Sequence, residues 1–384
     1  MDMPLMRWLR FRRRSNCLRP PNKDKSEIMQ LRQDRMSSKE RMEALFESRQ
    51  PDRVPIGAMA TVFSSKNAGY SVSTAYGDPE KSFYAMLWTA EQYGWEPIPQ
   101  YFGHTVLGAL DFGGRVRLPM GEYEGAMVVE SYPVKTENDV SDLKMPDPKT
   151  AGRIPDVMKF SKLQAAHDLP VWFFSRSPFC VAANICGLNQ FLRWMVKKPE
   201  LCERLMKMAI DHIFNVLRYW VETFGAERVF VYMSSPSESN QVISPKQFEE
   251  FALPYHIEYH NRLRTLGIKR FGFHICGDHN LNLPYLAEVS PWPHPSILSF
   301  GHEVDLEVAA EFFPDDIIYG NIEPAVIQTG SPQQVYELSK IAIEKGKRAP
   351  GGFILGPGCG LPAASPPVNV FAMTKAVDDF GWYE

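Results

Sequence analysis

The chain has 384 residues, with 42 lysines and arginines against 45 aspartates and glutamates, which gives a formal net charge of -3. This balance excludes a whole-molecule field that would recruit nucleic acid, and no apolar run approaches the ~20 residues that a membrane span requires. The six cysteines are too scattered for a disulfide framework and predict a reducing, cytoplasmic setting, where they serve metal binding or reactivity.

Residues 1–35 are strongly basic, with ten lysines and arginines and four acidic residues. They contain no apolar stretch of the kind that a secretory signal carries. We predict a solvated, disordered tail, with a nucleic-acid-binding arm or an organelle transit peptide as the alternatives. One continuous domain is expected over residues 36–384.

The domain begins with Ser37 three residues before Glu40, the spacing of a capping box, which predicts a helix to about Ser48. After that helix, short apolar runs alternate with longer stretches of helical pattern. The eight predicted strands cover residues 54–60, 97–102, 170–175, 228–233, 270–276, 297–300, 317–320 and 352–356. The predicted helices between and after them cover 79–93, 154–167, 199–224, 245–266, 281–289, 306–312, 332–344 and 367–380.

Eight strands, each followed by a helix, predict an α/β fold of the single (β/α)8 TIM-barrel type, which needs ~250 residues plus insertions. Residues 111–134 do not fit the alternation and predict a hairpin inserted after the second strand. The N-terminal tail would then be an extension outside the barrel.

The end of the fifth predicted strand carries a pair of metal-ligand residues. On a strand, His274 and Cys276 project from one side, while Phe271, Phe273 and Ile275 project from the other. Cys359, in a Gly/Pro-rich loop after the eighth strand, is a natural third ligand, because the carboxyl ends of all strands meet at one mouth of a barrel. Three ligands leave one position open, as in catalytic zinc sites. The alternative is that these residues are ordinary buried side chains.

Other residues after predicted strands are candidates for the same mouth. Glu238 is a proton acceptor, a fourth metal ligand or a solvated loop residue, and Asn321 reaches the pocket or only orients a turn. Glu323 follows the seventh predicted strand and His302 follows the sixth, so both are candidates for the same mouth. Aromatic side chains near strand ends suit a flat apolar substrate, or else they pack the core: Tyr101, Phe102, Phe173, Phe174 and Tyr232.

Three stretches carry a likeness to a known family: SKERMEALFESRQPDRVPIG, FEEFALPYHIEYHNRLRTLGIKRFGFHICGD, and FILGPGCGLPAASPPVNV with the preceding YGNIEPAVIQTGSPQQVYELSK. They resemble the uroporphyrinogen decarboxylase superfamily, and within it the zinc-dependent branch. That branch includes methylcobalamin:coenzyme M methyltransferases and the substrate-side methyltransferases of O-demethylase systems. The likeness is most specific at HICG and GPGCG.

The resemblance implies a single (β/α)8 barrel in which His274, Cys276 and Cys359 hold zinc. It also implies methyl transfer between a small molecule and the cobalt of a corrinoid, with a separate corrinoid protein docked over the barrel mouth. The small molecule is a thiol that accepts the methyl group, or a methoxylated or methylated compound that donates it.

Two other functions stay open at the level of sequence. The decarboxylases that name the superfamily use no metal and place arginines after the first strand, where this chain has Met59-Ala-Thr-Val-Phe-Ser64. A metal-free lyase is one alternative, although the absence of arginine here argues against it, and a barrel that binds a corrinoid or a small molecule without turnover is the other.

Overall fold

The computed structural model describes residues 33–101, 108–121, 123–289 and 293–384. Residues 34–384 form one compact unit. The tail predicted over residues 1–35 lies almost wholly outside the described residues, as does Phe102.

The central sheet consists of parallel strands in sequence order. Two short antiparallel strands, β1 (Arg115–Arg117) and β2 (Val128–Ser131), form the predicted hairpin insertion. The parallel strands follow in the order β3 (Val171–Arg176), β4 (Val229–Ser234), β5 (Arg270–Ile275), β6 (Ile297–Phe300), β7 (Ile317–Ile322) and β8 (Phe353–Pro357). Six of the eight predicted barrel strands are thereby confirmed.

The first two predicted strands form extended segments that do not reach regular strand pairing. Prolines at 55, 97 and 99 remove backbone donors that a ladder requires. Residues 55–57 still lie parallel to β8, since Leu355 N donates to Pro55 O (2.9 Å) and Gly57 N donates to Leu355 O (3.1 Å). Glu96 N donates to Ile56 O (2.9 Å) from the other side. The segment thus occupies the place of a first barrel strand.

A side chain joins the second extended segment to β3. Gln164 Nε2 donates to Pro99 O (2.8 Å), and Trp172 N donates to Gln164 Oε1 (3.2 Å). The buried amide of Gln164 therefore supplies both a donor and an acceptor where a backbone ladder would otherwise run.

Helices alternate with the parallel strands and cover the outside of the sheet. Their bounds are α1 Ser38–Phe46, α2 Thr61–Asn67, α3 Thr74–Gly77, α4 Pro79–Tyr93, α5 Glu137–Asp142, α6 Ile154–Ala166, α7 Pro178–Cys186, α8 Leu188–Lys197, α9 Pro199–Phe224, α10 Pro245–Gln247, α11 Leu253–Thr265, α12 Leu283–Glu288, α13 Leu306–Phe312, α14 Pro324–Thr329, α15 Pro332–Gly346 and α16 Pro367–Phe380. The capping box of Ser37 and Glu40 is present at α1. The helix predicted over 245–266 is divided by a π-helical turn, Phe248–Ala252.

The two faces of the strands bury different sets of residues. Phe271 and Phe273 of β5 belong to the large core under the helices. The opposite face forms a separate inner cluster, which includes Trp172, Phe174, Phe230, Tyr232, Ile297, Ile317, Tyr319 and Ile354. Gly272 and Gly356 leave the space that the rings of Tyr232 and Tyr319 occupy. This aromatic layer fills the inside of the sheet, as in the barrels of this architecture.

The hairpin packs against loops that follow the carboxyl ends of strands. Its residue Met127 shares an apolar cluster with Val62, Tyr76 and Ala363, and Tyr76 Oη donates to Gly125 O (2.6 Å). No helix in the described ranges combines the length and the apolar composition that crossing a membrane requires.

Candidate metal centre

The three predicted metal ligands lie together. One ligand atom from each of His274, Cys276 and Cys359 is within 4.8 Å of the others, and the two sulfurs are 3.7 Å apart. β5 and β8 are three strands apart in the sheet order, so a flat sheet would separate them by about 14 Å. The curvature of the sheet is therefore what assembles the cluster from distant parts of the chain.

The imidazole of His274 is oriented by one neighbour and leaves one nitrogen unused. Its Nδ1 lies 3.0 Å from the hydroxyl oxygen of Ser299, which is its register partner on β6. Its Nε2 is buried and has no hydrogen-bond partner among the described residues. A buried, unsatisfied ring nitrogen is costly, and a metal ion at the cluster would remove that cost. The donor set fits a zinc ion, which favours imidazole nitrogen and thiolate sulfur.

The two thiols have opposite electrostatic environments. The pKa of Cys359 is lowered, chiefly because its sulfur accepts a hydrogen bond from Cys276 and secondarily because of His274. The pKa of Cys276 is raised by that same hydrogen bond, by burial and by the nearby Cys359 charge. A zinc ion held by both sulfurs would bind them as thiolates and displace their protons.

Glycines beside both cysteines allow the loops to approach each other. Gly277 has a φ of +88°, and a Cβ there would lie 3.3 Å from Ser239 Cβ. A Cβ at Gly358 would lie 2.9 Å from the backbone nitrogen of His302. Gly358 is thus required by close packing, and Gly277 by its left-handed backbone.

Glu238 is fully buried, so the solvated-loop alternative is wrong. Its Oε1 accepts a hydrogen bond from Ser177 Oγ, and its Oε2 lies 2.6 Å from His256 Nε2. Neither carboxylate oxygen belongs to the three-ligand cluster. Both oxygens are therefore engaged away from the metal ligands.

Asn321 holds the loop after β6. Its Nδ2 donates to Gly301 O (3.0 Å) and to Val304 O (2.7 Å). That loop carries His302, whose side chain is exposed and whose Nε2 lies 4.0 Å from Glu323 Oε1. Asn321 thus orders a loop, which is the more modest of its two predicted roles.

The predicted aromatic set divides between the two cores. Phe173 packs outward against the helices, whereas Phe174 and Tyr232 lie in the inner cluster. Tyr101 is buried, and its hydroxyl donates to Tyr76 O. Cys180 and Cys186 both lie on α7. The run Phe179 to Cys186 is short and almost wholly apolar, so it gives no helical periodicity in the sequence.

Two charged residues near the cluster were missed from the sequence. Glu303 follows β6, and its Oε2 is buried without a hydrogen bond, although His302 Nδ1 lies 3.4 Å away. Arg176 ends β3 in register with Ser234, which is itself in register with His274, so these side chains share the inner face. Both charged residues lie at the end of a strand or just after it, and this position is the feature of the sequence that could have identified them.

Comparison with known proteins places the chain in a family. A family model described as uroporphyrinogen decarboxylase (URO-D) matches residues 37–380. A methylcobamide:CoM methyltransferase of Methanosarcina acetivorans is 25% identical over 352 residues, which cover 89% of this chain and 98% of that protein. A uroporphyrinogen decarboxylase of Myxococcus xanthus is 27% identical over 158 residues, 39% of this chain and 44% of that protein.

A solved structure of a methyltransferase from Methanosarcina mazei has the same fold. It superposes with a TM-score of 0.73 at 22% sequence identity and covers 89% of this chain and 98% of that one. The predicted family resemblance is confirmed. This chain belongs to the uroporphyrinogen decarboxylase (URO-D) family.

Proposed function

We propose that this protein is a zinc-dependent methyltransferase that moves a methyl group between a small molecule and the cobalt of a corrinoid carried by a separate protein. The observation that carries the proposal is the convergence of His274, Cys276 and Cys359, with the buried Nε2 of His274 unsatisfied. Full-length similarity to a protein named methylcobamide:CoM methyltransferase supports the same function. The cytoplasm is the proposed location, because thiol ligands need a reducing setting.

Zinc at this site would act as a Lewis acid on the heteroatom of the small molecule. A free thiol has a pKa of about 8.5 and is only a few per cent ionised at pH 7, so its ionisation is the step that most needs help. His274 and the two cysteines would hold the ion, and Ser299 would fix the imidazole orientation. Three protein ligands leave one position for the substrate.

We infer that Glu303, whose charge acts on the Cys276 thiol, receives the proton that such a substrate loses. Its buried Oε2 makes no hydrogen bond, whereas both oxygens of Glu238 are engaged. We therefore assign Glu303 to the substrate side of the site. Glu238 and Asn321, the earlier catalytic candidates, are proposed to hold the surrounding loops.

The direction of methyl flow is proposed to be from the corrinoid to a thiol. The full-length relative is named for transfer from a methylcobamide to CoM. Transfer from a methoxylated or methylated compound to the corrinoid uses the same three ligands and remains the second candidate. The metal-free lyase is less favoured, because residues 59–64 contain no arginine and the similarity to three decarboxylases covers 39% to 65% of the chain, against 89% for the methyltransferase.

The proposal is tested by incubating the zinc-loaded protein with methylcobalamin and 2-mercaptoethanol or a mercaptoalkyl acid. We expect loss of the methylcobalamin absorbance with formation of the methyl thioether, seen by mass spectrometry. Cys359→Ala should slow this by about a hundredfold or more, since loss of residues merely supporting a metal site already costs 10- to 100-fold. Cys202→Ala, which changes a buried cysteine on α9, is the control.

Methoxyaromatic compounds with cob(I)alamin form the second arm. Activity only with these compounds would mean that the methyl group moves from the small molecule to the corrinoid, and the protein would still be a methyltransferase. If Cys359→Ala and the unsubstituted protein match the background rate in both arms, the methyltransferase proposal is wrong.

A further inference from the structure

Two asparagine side chains join the loops that follow β4 and β5. Asn240 Nδ2 donates to Asn282 Oδ1 over 2.9 Å. Asn282 is fully buried and Asn240 is half-buried. We call Asn240 and Asn282 the asparagine bridge.

The other polar atoms of the bridge are also engaged. Asn240 Oδ1 accepts from Leu281 N (3.0 Å), and Asn240 N donates to Asp278 O (2.7 Å). Asn282 Nδ2 donates to Glu238 O (3.0 Å) and lies 3.2 Å from His279 Nδ1. Each asparagine therefore contacts the loop of the other, and the two loops are joined at several points.

The bridge is close to Cys276 along the chain and in space. The loop over 276–282 begins at this cysteine, and Gly277 packs against Ser239 of the neighbouring loop. Ser235 N donates to His274 O (3.3 Å), on the other side of Cys276. Movement of the 235–240 loop would consequently move the backbone on both sides of the cysteine.

The 235–240 loop is itself anchored in the interior. The Glu238 carboxylate accepts from Ser177 at the start of α7 and lies 2.6 Å from His256 Nε2 on α11. The bridge thus links the Cys276 loop, through the 235–240 loop, to buried side chains at α7 and α11.

We propose that the asparagine bridge positions Cys276, so that the three-ligand metal centre is already formed before a metal binds. This inference rests on the proposed function, in which Cys276 is a metal ligand. Ligand positions must be met within about 0.2 Å, and groups that hold ligands in place commonly contribute a factor of 10 to 100 in metal affinity. The bridge is a positioning pair that does not touch the metal.

The test compares Asn282→Ala and Asn240→Ala with a matched control, Asn369→Ala. Asn369 of α16 is equally buried, and its Nδ2 donates to Ile327 O (2.9 Å) and Gly330 O (2.8 Å) at the end of α14, outside the 235–240 and 276–282 loops. Zinc affinity is measured by competition with a chromophoric chelator. We expect both bridge variants to bind zinc roughly 10- to 100-fold more weakly, while the control retains the affinity of the unsubstituted protein.

Two further readouts separate positioning from general destabilisation. The visible spectrum of the cobalt(II)-substituted protein should change in the bridge variants and not in Asn369→Ala. In the metal-free protein, amide hydrogen exchange across residues 276–282 should accelerate at least tenfold in Asn240→Ala, because the Leu281 amide loses its acceptor. Asn240 is only half-buried, so this variant serves if Asn282→Ala fails to fold.

Unchanged zinc affinity in a folded bridge variant overturns the inference, as does an equal loss in Asn369→Ala. Failure of the proposed function looks different, since the unsubstituted protein would then bind no zinc. In that case the exchange measurement alone decides whether the bridge orders the Cys276 loop, and unchanged exchange would disprove it.

Discussion

The Glu238 side chain is fully buried, although it follows a strand and precedes a helix. A buried carboxylate is tolerated when hydrogen bonds satisfy its oxygens, and here Ser177 and His256 supply these contacts. This arrangement favours a structural charge over an acid–base catalyst that exchanges protons with substrate.

Glu238→Gln should lower the free energy of unfolding by about 1–3 kcal/mol, the usual range for losing a hydrogen bond to a charged group. Urea unfolding of the metal-free protein measures the effect. A variant of unchanged stability would contradict the buried network.

His279 is buried in the loop after β5. Burial lowers its pKa from 6.5 to about 4. The unfolded chain therefore takes up this proton at a higher pH than the folded protein does. Protonation of His279 in the unfolded chain therefore lowers the free energy of unfolding progressively as the pH falls from about 6.5 to about 4, by about 3 kcal/mol in all.

His279→Gln should remove that share of the pH dependence. The difference in unfolding free energy between variant and unsubstituted protein should shift in favour of the variant between pH 7 and pH 4.5. Metal-free samples are compared by urea unfolding at each pH. A difference that is constant with pH would contradict a neutral, buried His279.

At the level of elements, helix α1 brings a buried cation to the amino-terminal end of the sheet. Arg41 Nε donates to Asp52 Oδ1 (2.7 Å) and Arg41 Nη1 donates to Glu96 Oε1 (2.6 Å). Glu96 Oε2 in turn accepts from Ile56 N (2.6 Å). The network thus holds the first extended segment, whose own ladder is weakened by Pro55.

Arg41→Met should destabilise the protein by about 3–5 kcal/mol, because it removes the cation that donates hydrogen bonds to both buried carboxylates and leaves only Arg53 Nη2, 3.5 Å from Glu96 Oε1. Lys39→Ala on the same helix is the matched control. Lys39 pairs with Asp168 at 3.1 Å on the surface, with both side chains mostly exposed, and such a pair contributes about 0–1 kcal/mol. Equal effects of the two changes in thermal or urea unfolding would refute the network's role.

At the scale of the whole molecule, local patterns predicted most of the parallel strands and long helices. β5 is an example, because alternation alone separated His274 from the outward-facing Phe271 and Phe273. The prolines at 55, 97 and 99 were visible, but the replacement of a ladder by the Gln164 side chain depends on contacts between distant segments. The sequence of the short, apolar helix α7 also lacks the apolar periodicity that would have predicted a helix.

The convergence of the three candidate ligands was predictable because two of them share one strand end and the third follows the last strand. Their supporting residues were not. Glu303, Asn240 and Asn282 lie in loops whose conformation follows from packing between neighbouring strand ends, and the sequence of each loop by itself looks like ordinary turn chemistry.

The most direct test of the central claim is the zinc content of the purified protein by elemental analysis. The unsubstituted chain and Cys202→Ala should each hold about one zinc, as three ligands in one cluster require. His274→Ala and Cys359→Ala should lose it while remaining folded by circular dichroism. A well-folded unsubstituted protein that holds no zinc, and takes up none when zinc is added, would contradict the account.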